Sequence, residues 1–406
     1  MKAKRWAILL SCSLIGCLWL GLAQGAEKKS NCVLCHEKVT AGIVKEWATS
    51  KMSAALDCDG CHGSAHKSAK DPEKAKLPTP ELCSGCHEGQ FQQYSDGKHA
   101  LAWVAMEAMP TTGFQPHPFI EGMKGCGGCH RIGLRSVKDD QAYRYGMACT
   151  SCHTRHKFSQ AEAQSPQACR MCHMGFDHPQ WEMWSSSKHG AIYFTDPGSG
   201  RAPTCQTCHM EDGNHRVMTA WGFLALRLPE PDLEWMGYRT TILKALQVLD
   251  PKGEPTPRLE VVKAGKVARL STEEWQKERD RMLSTCSRCH SRNFARLNLE
   301  NADAMIKEAD RLMVRGIDLV AGLYQDGIIL PQAGKPPYPD VLTFYEAMTP
   351  IEQKLYVMFL EHRMRTFQGA FHNNPDYVTW YGLAELKKDL VEMARDDHEM
   401  RAGKGK

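Results

Sequence analysis

The chain has 406 residues, a formal net charge of +4 and a hydrophobic fraction of 42%, which is enough to bury a core in two or three domains. It has no basic run or stripe, so its charge gives no indication of nucleic-acid binding. Glycine and proline are near ordinary usage, which excludes a low-complexity chain, whereas eighteen cysteines are present.

The N-terminal segment, residues 1–25, is predicted to be a secretory signal peptide. Three basic residues precede an apolar run, and Ala23-Gln24-Gly25 supplies the small residues of a cleavage site. An uncleaved membrane anchor and a lipoprotein processed at Cys17 are the alternatives. The run stays apolar beyond Cys17, where a lipoprotein usually turns polar, so we expect cleavage and a periplasmic protein.

The rest of the chain repeats one motif, Cys-x-x-Cys-His, eight times. Seven copies lie in residues 26–220 and the eighth lies in residues 221–298. Together they use every cysteine outside the signal peptide. The cysteines are Cys32, Cys35, Cys58, Cys61, Cys83, Cys86, Cys126, Cys129, Cys149, Cys152, Cys169, Cys172, Cys205, Cys208, Cys286 and Cys289. The histidines that complete motifs 1 to 8 are His36, His62, His87, His130, His153, His173, His209 and His290.

The motif has the chemistry of covalent haem attachment. Two thiols at this spacing can each form a thioether with a vinyl group of one porphyrin, and the histidine that follows can bind the iron. Zinc sites, redox dithiols and disulfides also use paired cysteines, but none of them requires a histidine after every pair. Eight units without a spare cysteine therefore predict eight c-type haems, whose attachment outside the cytoplasm agrees with the signal peptide.

The close spacing of the motifs predicts the fold class. Successive motifs in residues 26–220 begin only 20 to 43 residues apart, and strand patterns are scarce there. So little polypeptide per haem cannot build its own core. We expect a mainly α multihaem cytochrome c whose interior is filled by porphyrins.

Ten histidines lie outside the motifs and could supply second axial ligands. The repeated sequences around His99 and His189, each preceded by an aromatic residue, suggest that the segments between motifs provide them, and a third copy has Met52 at the same place. The count alone leaves open whether every iron is closed to substrate. The candidates between motifs are His66, His99, His117, His156, His189 and His215.

The last third of the chain carries helical patterns. Residues 258–270 alternate around Ala264-Gly265, which predicts a small hairpin, and Ser271 begins a helix that leads into motif 8. In residues 299–406, a heptad pattern predicts a long helix with a packed seam, and Thr349 begins another helix. This helical region could drive oligomerisation or pack within the chain. The seam residues are Ala302, Ile306, Ala309, Met313, Gly316, Val320 and Leu323.

Two further segments could carry chemistry. Asp177-His178 precedes Pro179, and a carboxylate beside an imidazole could relay protons next to an open haem or be a structural pair. The aromatic segment 374–382 is more typical of packing than of catalysis.

The order of the eight motifs, the segment 174–183 with its sequence MGFDHPQWEM, and Ser187-Lys188-His189-Gly190 resemble the octahaem hydroxylamine oxidoreductase family, which includes hydrazine dehydrogenases. The resemblance implies a homotrimer built on C-terminal helices. It also implies one catalytic five-coordinate haem, on Cys126, Cys129 and His130.

The resemblance assigns roles to several residues. Asp177 and His178 would be the distal acid–base pair. Seven closed haems then need one more axial histidine, for which we favour His372 over His362 and His398. A tyrosine from a neighbouring subunit is linked to the catalytic haem in oxidative members, and here we expect Tyr377, with Tyr381 as the alternative. Tyr238 is a weak candidate for a further distal tyrosine.

These features favour oxidation of hydroxylamine to nitric oxide or nitrite, with electrons passed to a periplasmic or membrane-bound c-type cytochrome. The substrate class is a small nitrogen compound: hydroxylamine, nitrite or hydrazine. The alternatives are a reductive enzyme that converts nitrite to hydroxylamine or ammonia, and a conduit that only transfers electrons.

Overall fold

The computed structural model describes residues 29–107, 115–121, 124–133, 148–175, 179–343 and 346–404. These residues form helices and loops, and none of them belongs to a β-strand. The predicted mainly α class is confirmed. None of the helices within these ranges is long and apolar enough to cross a membrane.

The haem-motif region consists of short helices. They are α1 (Asn31–Val39), α2 (Ala41–Thr49), α3 (Cys58–His62), α4 (Pro80–Ser95), α5 (Ala102–Glu107), α6 (His117–Glu121), α7 (Gly127–His130), α8 (Gln160–Ala163), α9 (Gln167–Arg170), α10 (Gln180–Ser185), α11 (Lys188–Thr195) and α12 (Cys205–His209). Single 3₁₀ turns cover Lys51–Ala54, Pro72–Lys74, His99–Leu101, Ala148–Ser151 and Glu211–Gly213.

The C-terminal half contains longer helices. They are α13 (Leu233–Ala245), α14 (Arg258–Ala264), α15 (Thr272–Cys286), α16 (Arg292–Gln325), α17 (Pro350–Val357), α18 (Met364–Phe371) and α19 (Ala384–Lys404). Two π-helical segments, Met358–Arg363 and Tyr377–Leu383, lead into α18 and α19. The predicted hairpin is wrong, because residues 258–264 are helical and Gly265 ends the helix.

Two helix starts follow the sequence signals. The Ser271 hydroxyl accepts a hydrogen bond from the Glu274 amide at the start of α15, which runs into motif 8. Thr349 and Glu352 form a reciprocal capping box at the start of α17. Both helices therefore begin where the sequence predicts.

The aliphatic core belongs to the C-terminal half. Its largest cluster of buried side chains lies between Leu224 and Met393. All seven seam residues of α16 are buried, and this helix packs against α13, α18 and α19. The seam is therefore used within the chain. The only other clusters among the described residues are small, which fits an N-terminal half whose packing depends on its porphyrins.

Candidate haem array and active site

The motif cysteines lie on or beside helical turns. None of the sixteen forms a disulfide. The Ser30 hydroxyl caps the helix that carries motif 1, and a reciprocal capping box formed by Thr204 and Thr207 begins the helix of motif 7. Such caps fix the first turn, where both thiols must face one porphyrin edge.

Six histidine pairs face each other across narrow gaps, and each pair joins a motif histidine to one of the predicted distal histidines. An imidazole nitrogen binds a transition metal at about 2 Å, so rings on opposite sides of one iron have centroids about 6 Å apart. The observed separations are 6.1 to 6.4 Å. The pairs are His36 with His66, His62 with His156, His99 with His173, His153 with His215, His189 with His290, and His209 with His372.

Several of these rings are oriented by backbone carbonyls. The Nδ1 atoms of His62, His66 and His372 donate to carbonyl oxygens at 2.8, 3.0 and 2.7 Å. This leaves Nε2 of each ring for a metal, since metal-binding histidines usually donate a hydrogen bond from their other ring nitrogen. Burial lowers the pKa of His209 to about 3 and also lowers the pKa of His372, so both rings are neutral and able to act as ligands.

The three candidates for the last axial ligand differ in their surroundings. His372 faces His209 of motif 7. His362 is buried, and its Nδ1 lies 2.6 Å from Asp389 Oδ2. His398 is exposed in α19. Of the three candidates, His372 is the one that lies opposite a motif histidine. Its ligation of the motif 7 haem stays a prediction, which this geometry supports.

Thiols of different motifs lie close enough to affect each other's pKa. Cys83 raises the pKa of Cys149, Cys205 raises that of Cys169, and Cys129 raises that of Cys172. Motif 3 therefore adjoins motif 5, and motif 6 adjoins both motif 7 and motif 4.

Part of the predicted active site lies outside the described residues. This holds for Asp177, His178 and the side chain of His117. His87 and His130 are described, and His130 Nδ1 donates to the Ala102 carbonyl at 3.3 Å. The buried Arg131 follows it, with its guanidinium carbon 5.4 Å from the Trp103 ring centroid.

The chain on either side of Asp177-His178 is tied together by two hydrogen bonds. The Trp181 amide donates to the His173 carbonyl at 2.9 Å. The Gly175 amide donates to Glu182 Oε1 at 3.2 Å, and Gly175 has a φ of +95°, which suits glycine. Sequence reasoning did not single out Glu182, although it lies within the segment that carries the family resemblance.

Tyr377 lies against helix α10 of its own chain. Asn374 Nδ2 donates to the Met183 carbonyl at 2.7 Å and to Ser186 Oγ at 2.8 Å, while its Oδ1 accepts from the Tyr377 amide. The rings of Tyr377 and Tyr381 are 4.9 Å apart. Burial, and then the nearby Glu182 carboxylate, raise the pKa of the Tyr377 phenol. Tyr238 instead donates to Glu234.

Comparison with known proteins points to one family. The model of a family described as seven-times multihaem cytochrome CxxCH matches residues 28–224 and 258–337. A probable nitrite reductase-hydroxylamine oxidoreductase fusion protein from Kuenenia stuttgartiensis is 26% identical over 471 aligned positions, which cover 92% of this chain. The chain spans only 52% of that relative's length.

Two solved structures share the fold. The reducing HAO-like protein complex from Kuenenia stuttgartiensis matches with a TM-score of 0.70 and 24% identity, covering 92% of this chain and 85% of the other. A hypothetical multiheme protein matches with a TM-score of 0.68 and 22% identity, covering 92% of this chain and 96% of the other.

Proposed function

We propose that this chain, which belongs to the family of multihaem cytochromes with repeated CxxCH motifs, is an octahaem oxidoreductase that oxidises hydroxylamine to nitric oxide or nitrite. The observation that carries an enzymatic role is that motif 4 adjoins motif 6: His130 Nδ1 donates to the Ala102 carbonyl, and the nearby His99 faces His173 of motif 6. Asp177 follows Cys172 by only five residues. Motif 6, which this predicted acid–base pair follows in the sequence, therefore adjoins the motif that we propose to be catalytic.

The haems and the chain's residues would have different roles in this reaction. The haems would supply the redox chemistry, and the six facing histidine pairs would hold most of them closed. Asp177 and His178 would accept the protons that substrate nitrogen and water release, since a carboxylate raises the basicity of an adjacent imidazole. Glu182 and Gly175 would hold the segment that carries this pair.

The assembly and electron partner belong to the same proposal. We expect a periplasmic homotrimer that passes electrons to a soluble or membrane-bound c-type cytochrome. Because the α16 seam is buried within the chain, subunits would have to meet through other surfaces. The side chains of Trp380 and Tyr381, which are 65% and 49% exposed, lie on one such surface.

Reduction of nitrite to hydroxylamine or ammonia is the second candidate. It is favoured by the position of Tyr377, which packs against Tyr381 and is tied to α10 through Asn374 of its own chain. The Tyr377 ring is half-buried against its own chain, whereas a covalent link with a neighbour's haem needs the ring to reach out of its subunit. The mass of the denatured, haem-loaded protein distinguishes the two candidates. The oxidative candidate requires a covalent tyrosine–haem crosslink, and the reductive candidate does not.

The His178→Asn variant tests whether the protein is an enzyme at all. Removal of the proton acceptor should lower turnover of hydroxylamine or nitrite by about 10²–10⁴-fold, the usual share of general acid–base catalysis. Haem content and reduction by dithionite should not change. The control is His398→Asn, which replaces an exposed histidine. Equal turnover by His178→Asn and the control would exclude His178 as the proton acceptor. Absence of turnover in the unmodified protein would show that the chain acts only as an electron conduit.

A further inference from the structure

A buried cationic cluster lies between α13, α15, α16 and α18, outside the site described above. Its guanidinium groups belong to Arg227, Arg239, Arg279 and Arg363, all at most 9% exposed, and its carboxylates belong to Glu230, Asp303 and Asp310. Four cations against three anions leave one positive charge without a partner among these groups. An uncompensated buried charge is costly, so the surplus requires an explanation.

The surplus charge lies where Arg227 and Arg239 share Glu230, whereas Arg279 pairs with Asp303. Arg363 donates to Asp310 and to two backbone carbonyls, and Arg239 donates to Glu230, although its Nε and Nη2 atoms are buried without a hydrogen-bond partner among the described residues. Arg279 uses Nη2 on Asp303, but its buried Nη1 has no hydrogen-bond partner among the described residues. Arg279 is only 5% exposed, so water is a poor substitute.

Two indole N–H groups beside Arg279 also lack a hydrogen-bond partner. Trp221 Nε1 and Trp275 Nε1 are buried and have no acceptor within the described ranges. The Arg279 guanidinium carbon is 4.9 Å from the Trp275 ring centroid, and both tryptophans lie near Arg227. Buried donors are almost always paired, so three of them together indicate an acceptor that carries negative charge.

The cluster adjoins the histidine pair of motif 7. The Arg279 guanidinium carbon is 5.7 Å from the Phe371 ring centroid, and the Trp221 and Phe371 ring centroids are 6.2 Å apart. Phe371 directly precedes His372, whose ring faces His209. The Arg279 side chain thus lies beside the end of the helix that supplies one face of the motif 7 haem site.

We propose that Arg279, together with the indole N–H groups of Trp221 and Trp275, binds a propionate carboxylate of the haem held between His209 and His372. The propionate supplies the missing acceptor, and it offsets the surplus charge of Arg227 and Arg239, which lie beside the same tryptophans. The inference needs only that the chain carries c-type haems, and it does not depend on the nitrogen chemistry. Arg279 is here a positioning and potential-setting residue.

Redox titration of the haem-loaded protein, monitored by electron paramagnetic resonance at pH 8, tests the assignment. Because a cation beside a propionate favours the reduced haem, Arg279→Gln should shift the midpoint potential of one low-spin haem to a lower value. Trp275→Phe should shift the same haem less, in the same direction. Lys277→Gln removes an equal charge from the exposed face of α15 and should leave all potentials unchanged.

A structure of the unmodified, haem-loaded protein provides the second measurement, which stays decisive if Arg279→Gln does not fold. We expect a haem carboxylate within hydrogen-bonding distance of Arg279 Nη1. If that carboxylate belongs to the haem of Cys286, which lies about 10 Å along the same helix, the assignment to motif 7 is overturned. Arg279 facing only protein or water, or unchanged potentials in Arg279→Gln, would overturn the carboxylate site itself.

Discussion

At the scale of single residues, Glu182 shows how the chain can position groups that do the chemistry. Its Oε1 accepts a hydrogen bond from the Gly175 amide, and its Oε2 is buried without a partner among the described residues. The bond joins the two ends of the segment that contains Asp177 and His178. One carboxylate therefore restrains the backbone on both sides of the proposed acid–base pair.

Glu182→Ala should impair turnover more than stability. Loss of one hydrogen bond costs about 0.5–1.5 kcal/mol of unfolding free energy, whereas a misplaced catalytic group can lower turnover about 100-fold. Steady-state kinetics and thermal unfolding of the haem-loaded protein measure the two effects. Glu182→Gln keeps an oxygen for the Gly175 amide and should retain most of the activity. Wild-type turnover in Glu182→Ala would show that the bond does not hold the pair.

At this scale the sequence is most informative where the chemistry is local. Cys-x-x-Cys-His needs no tertiary information, whereas the facing histidine pairs join distant segments, such as His62 with His156 and His189 with His290. Glu182 and Asn374 were missed because their roles depend on contacts made after folding: Asn374 contacts Met183, which lies 191 residues away. The buried Arg279 was missed for the same reason, since nothing in its neighbouring sequence distinguishes it from a surface arginine.

At the scale of helices, the seam of α16 shows what periodicity can and cannot predict. The alternating steps of four and three predicted one buried stripe, and the stripe is buried against α13, α18 and α19. The period of a seam does not identify the helix that packs against it, because a heptad face packs equally well on a helix of its own chain or of another chain. The mistaken hairpin at residues 258–270 has a similar cause, since alternation over a few residues also fits a short helix.

Gly316 allows the close approach of two helices within this seam. A Cβ atom at this position would lie 2.8 Å from Met358 Sδ and 3.3 Å from Leu355 Cδ1. Gly316→Ala should therefore destabilise the protein by about 1–3 kcal/mol, the usual cost of overpacking. Chemical denaturation, monitored by circular dichroism, measures this change in the free energy of unfolding.

The control for this prediction is on the same helix. Gly322→Ala would meet only the end of the flexible Arg401 side chain, at 3.3 Å. It should be neutral or stabilising by up to about 1 kcal/mol, because alanine favours helix more than glycine does. Equal effects of the two substitutions would mean that Met358 moves aside freely. If the clash is the cause, a Gly316→Ala/Met358→Ala double variant should be less destabilised than the sum of the two single variants.

At the scale of the whole molecule, the haem array and the aliphatic core depend on each other. The residues before about 220 carry seven motifs, and the apolar clusters of their described part are small, whereas the large core lies between Leu224 and Met393. Motif 7 crosses this division: His209 comes from the haem-rich part, and His372 follows α18 of the helical part. Sequence could suggest His372 only through the family resemblance, because 163 residues separate the two histidines.

Substitution of His372 should affect one haem and the connection between the two parts together. In His372→Ala, the iron of motif 7 loses its distal ligand, so we expect one of the low-spin haem signals to be replaced by a high-spin signal in electron paramagnetic resonance. Added imidazole should restore the low-spin form by entering the space that the ring leaves. The other signals should keep their positions, since their histidines come from other segments.

His362→Ala is the matched control, because His362 is a buried histidine of the same helical part that pairs with Asp389 instead of a motif histidine. It should lower thermal stability, since it leaves a carboxylate buried without its partner, while every low-spin signal stays unchanged. The reverse pattern, with a high-spin haem in His362→Ala and none in His372→Ala, would move the last axial ligand to His362. The helical part would then be joined to the haem array through the π-helical segment Met358–Arg363, and the motif 7 assignment of the Arg279 site would lose its basis.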